Sequence, residues 1–135
     1  MKVKLLLLSF VFHIIVCNCS FAQEHTKDTL YVENVDFNIL TFSSIPCGSF
    51  ATNFKDRIKF RAISDRGTIA MLDSFLNKVR YARKDRDVDV RAKFIYEKEN
   101  KNKITICTNG NEVLVEGRLI RHNSKFVDFL RGLTR

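Results

Sequence analysis

The sequence predicts an α+β domain in which an antiparallel sheet of about five strands carries two amphipathic helices on one face, in the order β-β-α-β-β-β-α. Three observations lead there. Apolar and polar residues alternate with period two at 57–64 and 87–96. Apolar residues fall three and four apart at Ile69, Leu72, Leu76 and Val79, with Phe75 beside them, and Phe126, Val127, Leu130 and Leu133 make a second stripe. Between two strand-like runs sits Asn109-Gly110, a dipeptide that favours a tight hairpin turn.

Ahead of the domain, Lys2 and Lys4 precede a nearly unbroken apolar run at 5–16. A charged start and an apolar stretch of about a dozen residues make a secretory signal peptide, too short to span a bilayer. Ser20 and Ala22 supply the small side chains that signal peptidase needs, which places cleavage after Ala22. Residues 1–22 are then the signal peptide and 23–135 a single domain, expected to be periplasmic or secreted. A lipoprotein signal fits less well, because Val16 and Asn18 stand before Cys17 and Cys19 where a small residue is usual. After Val16 no long apolar run recurs, so the mature chain is expected to carry no membrane span.

Within the domain, residues 29–42 are rich in β-branched and aromatic side chains and set Val35, Phe37, Ile39 and Thr41 against Asp36, Asn38 and Leu40. That alternation predicts one strand, ended by Ile45-Pro46-Cys47-Gly48-Ser49. Residues 57–64 place Ile58, Phe60 and Ala62 on a buried face and Arg57, Lys59 and Arg61 on a wet one. Ser64 or Asp65 can cap the helix that follows. It is expected to end at 82–85, where Arg80, Arg83 and Lys84 suit the negative end of the helix dipole. Residues 87–96 then put Val88, Val90, Ala92, Phe94 and Tyr96 inward and Asp87, Asp89, Arg91 and Lys93 outward. Strands at 103–108 and 112–116 are expected to pair across a type I′ turn at Asn109-Gly110, and Gly117 admits one more short strand at 118–121. Asn123 or Ser124 caps the last helix.

Losing Lys2 and Lys4 with the leader lowers the net charge from +8 to +6. Outside the cytoplasm this balance points away from nucleic acid and towards a protein or an anionic envelope component such as head groups or surface polysaccharide. Cys17 and Cys19 leave with the leader, so Cys47 and Cys107 remain, with one pairing open to them in an oxidising compartment. Two buried thiols are the alternative.

Catalytic patterns are missing. Cys47 with His122 is the one nucleophile and base that can be paired, since His13 lies in the leader and His25 in the polar start, and nothing in their spacing brings the two together. Asp85, Asp87 and Asp89 alternate, yet lack the glycine and later glutamate of a calcium loop, and Arg86, Arg91 and Lys93 are placed to neutralise them. The expectation is therefore no catalytic residue, no metal site and no cofactor. The densest basic run, Lys78 to Arg86, holds Arg80, Tyr81, Arg83 and Lys84 as candidate binding residues, and the wet sheet face adds Lys59, Arg61, Arg91 and Lys93.

The leader ending Phe21-Ala22-Gln23 and the strand-hairpin-helix ending at 89–133 resemble small exported, uncharacterised proteins of the Bacteroidetes. That resemblance implies an envelope address and no activity. The leading expectation is a non-enzymatic binding module for a protein or envelope glycan, using the sheet face and the basic helix end. A second is an inhibitor or immunity protein of a secreted enzyme, with Ile45-Pro46-Cys47-Gly48-Ser49-Phe50 as the inserting loop; a third is a small thiol-dependent enzyme relying on Cys47 or Cys107.

Overall fold

The computed structural model describes residues 27–135. The expected signal peptide, its cleavage site and His25 lie outside the described residues. The chain runs β1 (Thr29–Asn34), α1 (Phe50–Phe54), β2 (Lys59–Ile63), α2 (Arg66–Leu76), β3 (Ala92–Glu97), β4 (Lys103–Thr108), β5 (Val113–Val115), β6 (Arg118–Leu119) and α3 (Ser124–Gly132). All pairings are antiparallel, in the order β2-β1-β3-β4-β5-β6. The domain is α+β, but the sheet has six strands and the described residues form three helices, which corrects the expected five and two. The extra helix, α1, is flanked by the 3-10 turns Cys47–Ser49 and Lys55–Arg57. One turn and a half is too short to display a stripe, although its buried pair, Phe50 and Phe54, has the i, i+4 spacing of one helix face.

Two cores lie on opposite sides of the sheet. On one, α2 and α3 cover Leu30, Val32, Ala92, Phe94, Tyr96, Ile106, Val113 and Val115. The Phe75 ring stacks on Phe126 at 4.8 Å and lies 5.4 Å from Phe129, which ties the helices together. Asp65 caps α2 by accepting from the Thr68 amide at 2.9 Å, and Asn123 caps α3 by accepting from the Phe126 amide at 3.2 Å. On the other side, Val35, Ile45, Phe50, Phe54, Val88 and Val90 pack on Cys107, Leu114 and Leu119. The second face is thus covered at its β4-β5-β6 end, where the sequence had suggested a face open to water throughout.

Other elements depart from the alternation. Neither side of β2 is buried along Lys59 to Ala62. Its register with β1 aligns Phe60 with Glu33 and Arg61 with Val32, so Phe60 sits on the open half of the second face, stacked on Tyr31 at 6.1 Å. Lys59 and Arg61 fall on the helix-bearing face at the sheet edge, the reverse of the expected arrangement. The long strand expected at 29–42 stops at Asn34, and the strand expected at 87–96 begins only at Ala92. Before it the chain changes sides at Arg91, so that Val88 and Val90 join the second core while Ala92, Phe94 and Tyr96 join the first.

The hairpins also differ from expectation. β4 and β5 are joined by four residues organised by Asn109, whose side chain accepts from the amides of Asn111 at 2.9 Å and Glu112 at 2.8 Å. Only Gly110 there has positive φ, at 89°. The two-residue turn with both φ values positive, the type I′ signature, is Glu116-Gly117 between β5 and β6. A Cβ on Gly110 would lie 3.0 Å from the Phe37 ring. Gly110→Ala should therefore cost about 1–2 kcal/mol in denaturant unfolding, from backbone strain in the left-handed region. An unchanged stability would contradict the turn geometry.

Candidate functional site

The most unusual surface of the domain is the loop joining β1 to α1, because its side chains invert the usual placement of apolar groups. Leu40 is 95% exposed and Phe42 wholly so. Both ends of the loop are fixed. On entry, the Val35 amide donates to the Arg91 carbonyl at 3.0 Å. Asp36 then makes a turn, its side chain accepting from the Asn38 amide at 2.9 Å and its carbonyl from the Ile39 amide at 3.1 Å. On exit, the Ile45 amide donates to Asp89 Oδ1 at 2.9 Å and its carbonyl accepts from the Val90 amide at 2.9 Å. Two residues on, Cys47 is disulfide-bonded to Cys107 of β4, with the Cα atoms 5.9 Å apart.

Arg91 holds the middle of the loop. Its side chain is 7% exposed and meets the Asp89 carboxylate through both ends of the guanidinium, at 2.6 and 2.5 Å. From beneath the loop, Arg91 Nε donates to the Ile39 carbonyl at 3.2 Å and Nη2 donates to Thr41 Oγ1 at 3.1 Å. Ile39 is turned onto the second core and Thr41 onto Arg91, so the residues between and beyond them, Leu40 and Phe42, point into solvent. A groove runs between this segment and Asn53, Phe54, Lys55, Asp56 and Arg57.

The Asp89 carboxyl titrates below the ordinary range. Burial alone would raise it, but the Arg91 guanidinium and the Ile45 amide outweigh that and stabilise the charged form. A lowered folded-state value means the unfolded chain takes up this proton first, so the stabilisation is complete above the unperturbed 3.8 and is lost as pH falls through the folded value. The protection factor of the Ile45 amide against hydrogen exchange should therefore drop below pH 3.8 before the sheet opens. Protection that stays level until global unfolding would contradict this linkage.

The residues expected from the sequence are not brought together. Helix α2 ends at Leu76, so Arg80, Tyr81, Arg83 and Lys84 are not on a helix end. From Tyr81 onward this segment runs beside β6: Tyr81 bridges Ile120, the Ala82 amide donates to Leu119, and Arg80 accepts from the Arg121 amide. One face of the Tyr81 ring is covered by the Arg118 guanidinium at 4.0 Å. Arg61 donates to the Leu133 carbonyl at the end of α3, and Lys59 lies near it on the sheet edge. Of the supposed wet-face set only Lys93 lies on the second face within the sheet, opposite Glu33, and Arg91 is buried under the loop.

The three aspartates have separate tasks. Asp85 accepts from the Leu119 amide, Asp89 serves the loop, and Asp87 is exposed in a groove beside Cys47. Among the described residues no group of three or more His, Cys, Asp or Glu could hold a metal ion, and no helix is long and apolar enough to cross a membrane. His122 lines grooves with Arg121 and Asn123, and the Cys47 sulfur is bonded to Cys107. Sequence reasoning missed the Leu40 and Phe42 display altogether. Its signals were the turn formers Asp36, Asn38, Ser43 and Ser44 interrupting an apparently strand-like run.

No family model matches the chain, and no curated protein or solved structure matches it either.

Proposed function

We propose that the protein acts outside the cytoplasm as a non-enzymatic inhibitor, or immunity protein, that blocks a partner enzyme by inserting the apex of the 38–44 loop into its cleft. The observation that carries this reading is the pair of exposed apolar side chains, Leu40 and Phe42, on a backbone clamped from below by Arg91. Exposed aromatics on a held backbone suit interface anchors, since the entropy of ordering the loop is spent in folding and not in binding. The inserting segment is therefore 38–44. The neighbouring segment at 45–50 supports it, because Ile45 and Phe50 are buried there.

The bond between Cys47 and Cys107 supports an oxidising compartment and leaves neither sulfur as a free thiol. A panel of purified secreted-type hydrolases (a peptidase, a muramidase, a nuclease and a lipase) tests the reading. One class should be blocked at equimolar protein, and Leu40→Asp combined with Phe42→Asp should abolish the block with an unchanged melting temperature. Inhibition indifferent to that double variant would overturn the reading. So would loop-dependent binding to anionic phospholipid vesicles with no enzyme inhibited.

A further inference from the structure

The outer edge of the sheet combines two features, peptide groups directed away from the sheet and positive charge that no carboxylate answers. β2 ends the sheet and pairs with β1 alone. The Val35 amide donates to the Arg91 carbonyl in line with the β1–β3 register, so the odd-numbered residues of β1 bond to β3 and the even-numbered ones to β2. Their partners Lys59, Arg61 and Ile63 therefore use their peptide groups on β1, which leaves the N–H and C=O of Phe60 and Ala62 pointing outward.

Side chains along this edge sort by face. Lys59 and Arg61 lie on the helix-bearing face, two residues and so about 7 Å apart. Arg131 of α3 and Arg135 beyond it line a groove with Lys59, in which Asp36 is the acid among the lining residues. Among the described residues Lys59, Arg61, Arg131 and Arg135 form no salt bridge, although Arg61 donates to the Leu133 carbonyl. On the opposite face Phe60 is 64% exposed and stacked on Tyr31.

We infer that β2 takes up an extended segment of a partner protein as an added antiparallel strand, one with acidic residues at two alternate positions and an apolar residue between them. The main chain of that segment bonds to Phe60 and Ala62, as where a peptide extends the edge of a sheet. Residues opposite Lys59 and Arg61 then occupy the non-hydrogen-bonded positions, where side chains come closest, so carboxylates there meet both cations directly. The apolar residue between them falls opposite Phe60 and covers its ring. This arrangement favours a strand over a diffuse polyanion, because charge on one face and an aromatic ring on the other are matched together only by a chain whose side chains alternate with period two. The inference stands on this edge and not on the loop that carries the inhibitor reading.

Fluorescence anisotropy tests it with the disulfide-bonded protein and labelled hexapeptides, blocked at both ends, at low salt. A peptide alternating valine and glutamate should bind at least about 10-fold tighter than one with three valines followed by three glutamates, since only the first meets both cations and the ring in register. On binding, the Phe60 and Ala62 amides should gain protection from hydrogen exchange, read by NMR. N-methylation at the valines, whose amides face β2, should abolish binding; N-methylation at the glutamates, whose amides face away, should be tolerated. Lys59→Glu combined with Arg61→Glu should transfer binding to a valine–lysine peptide. Ala62→Pro, which removes an outward N–H and no charge, should weaken binding by about fivefold. Circular dichroism and melting temperature check that these variants keep the fold.

Equal binding of the two glutamate peptides, or binding without added protection at Phe60 and Ala62, would reduce the edge to an unspecific cationic surface and overturn the inference. So would binding of dextran sulfate with none of the peptides bound. The inhibitor reading is untouched by either result, since none of these measurements involves Leu40 or Phe42.

Discussion

Replacing Cys47 and Cys107 together by alanine should lower the stability of the domain by about 4 kcal/mol, the loop-closure entropy returned to the unfolded chain when a cross-link spanning 60 residues is removed. For a domain of this size that is a large share of the total, and the melting temperature should fall by about 15–30 °C. The bond joins the segment leading into α1 to Cys107, which is fully buried beneath the second core, so losing it also frees the exit of the 38–44 loop. Inhibition should then weaken even where the protein is still folded. Denaturant melts of the oxidised and double-alanine proteins measure the first effect. A difference under about 1 kcal/mol would mean that the bridge does little to hold the second core in place.

The second large effect concerns the pair under the loop, and its two halves are not equivalent. Asp89→Ala should cost about 3–5 kcal/mol, because it leaves the Arg91 guanidinium without a counter-charge in a place water hardly reaches. The Ile45 amide loses its acceptor as well. Arg91→Met should cost less: Asp89 is 40% exposed, so its carboxylate regains water, and the methionine fills part of the space. Urea melts of the two variants decide the order. Equal losses, or a larger loss in Arg91→Met, would show that the contacts of Arg91 with Ile39 and Thr41 outweigh its charge pairing.

Some of the fold was legible because local chemistry decides it. Asp65 and Asn123 announce helix starts, since a short oxygen-bearing side chain ahead of an apolar stripe has first-turn amides to accept from. Of the two readings open for Cys47 and Cys107 once the expected leader is set aside, a bridge or two buried thiols, the bridge is the one present. What misled was the alternation at 29–42. It does report which side chains turn inward as far as Ile39 and Thr41, but periodicity carries no information about what the backbone pairs with. The turn at Asp36 takes the chain off the sheet, and the segment beyond it is held by Arg91.

The same limit applies at 88–92, where an unbroken pattern hides a change of side at Arg91. No local rule says that Val90, Arg91 and Ala92 can all be buried in succession. Helix α2 stops short for a non-local reason too: residues 80–82 find backbone partners along β6, and a helix continued to that point would forfeit them. Of the candidate site, Arg91 was visible as a charge and Asp89 as its neighbour. Their service to the loop depends on Ile39 and Thr41, some 50 positions away, and is invisible to spacing.

The outermost strand, β2, has a bearing on how the molecule keeps to itself when crowded. A row of unsatisfied peptide groups along such a rim is an invitation to another chain, and repeated acceptance grows filaments. The opposite rim is shut by the Tyr81 bridge to Ile120, so polymerisation would have to start from β2. Two copies meeting there head to tail about a shared centre would bring Arg61 against Arg61, with Lys59 close by on each, and like charges in register repel. Lys59 and Arg61, the second of which also donates to the Leu133 carbonyl, thus disfavour that pairing of copies through β2.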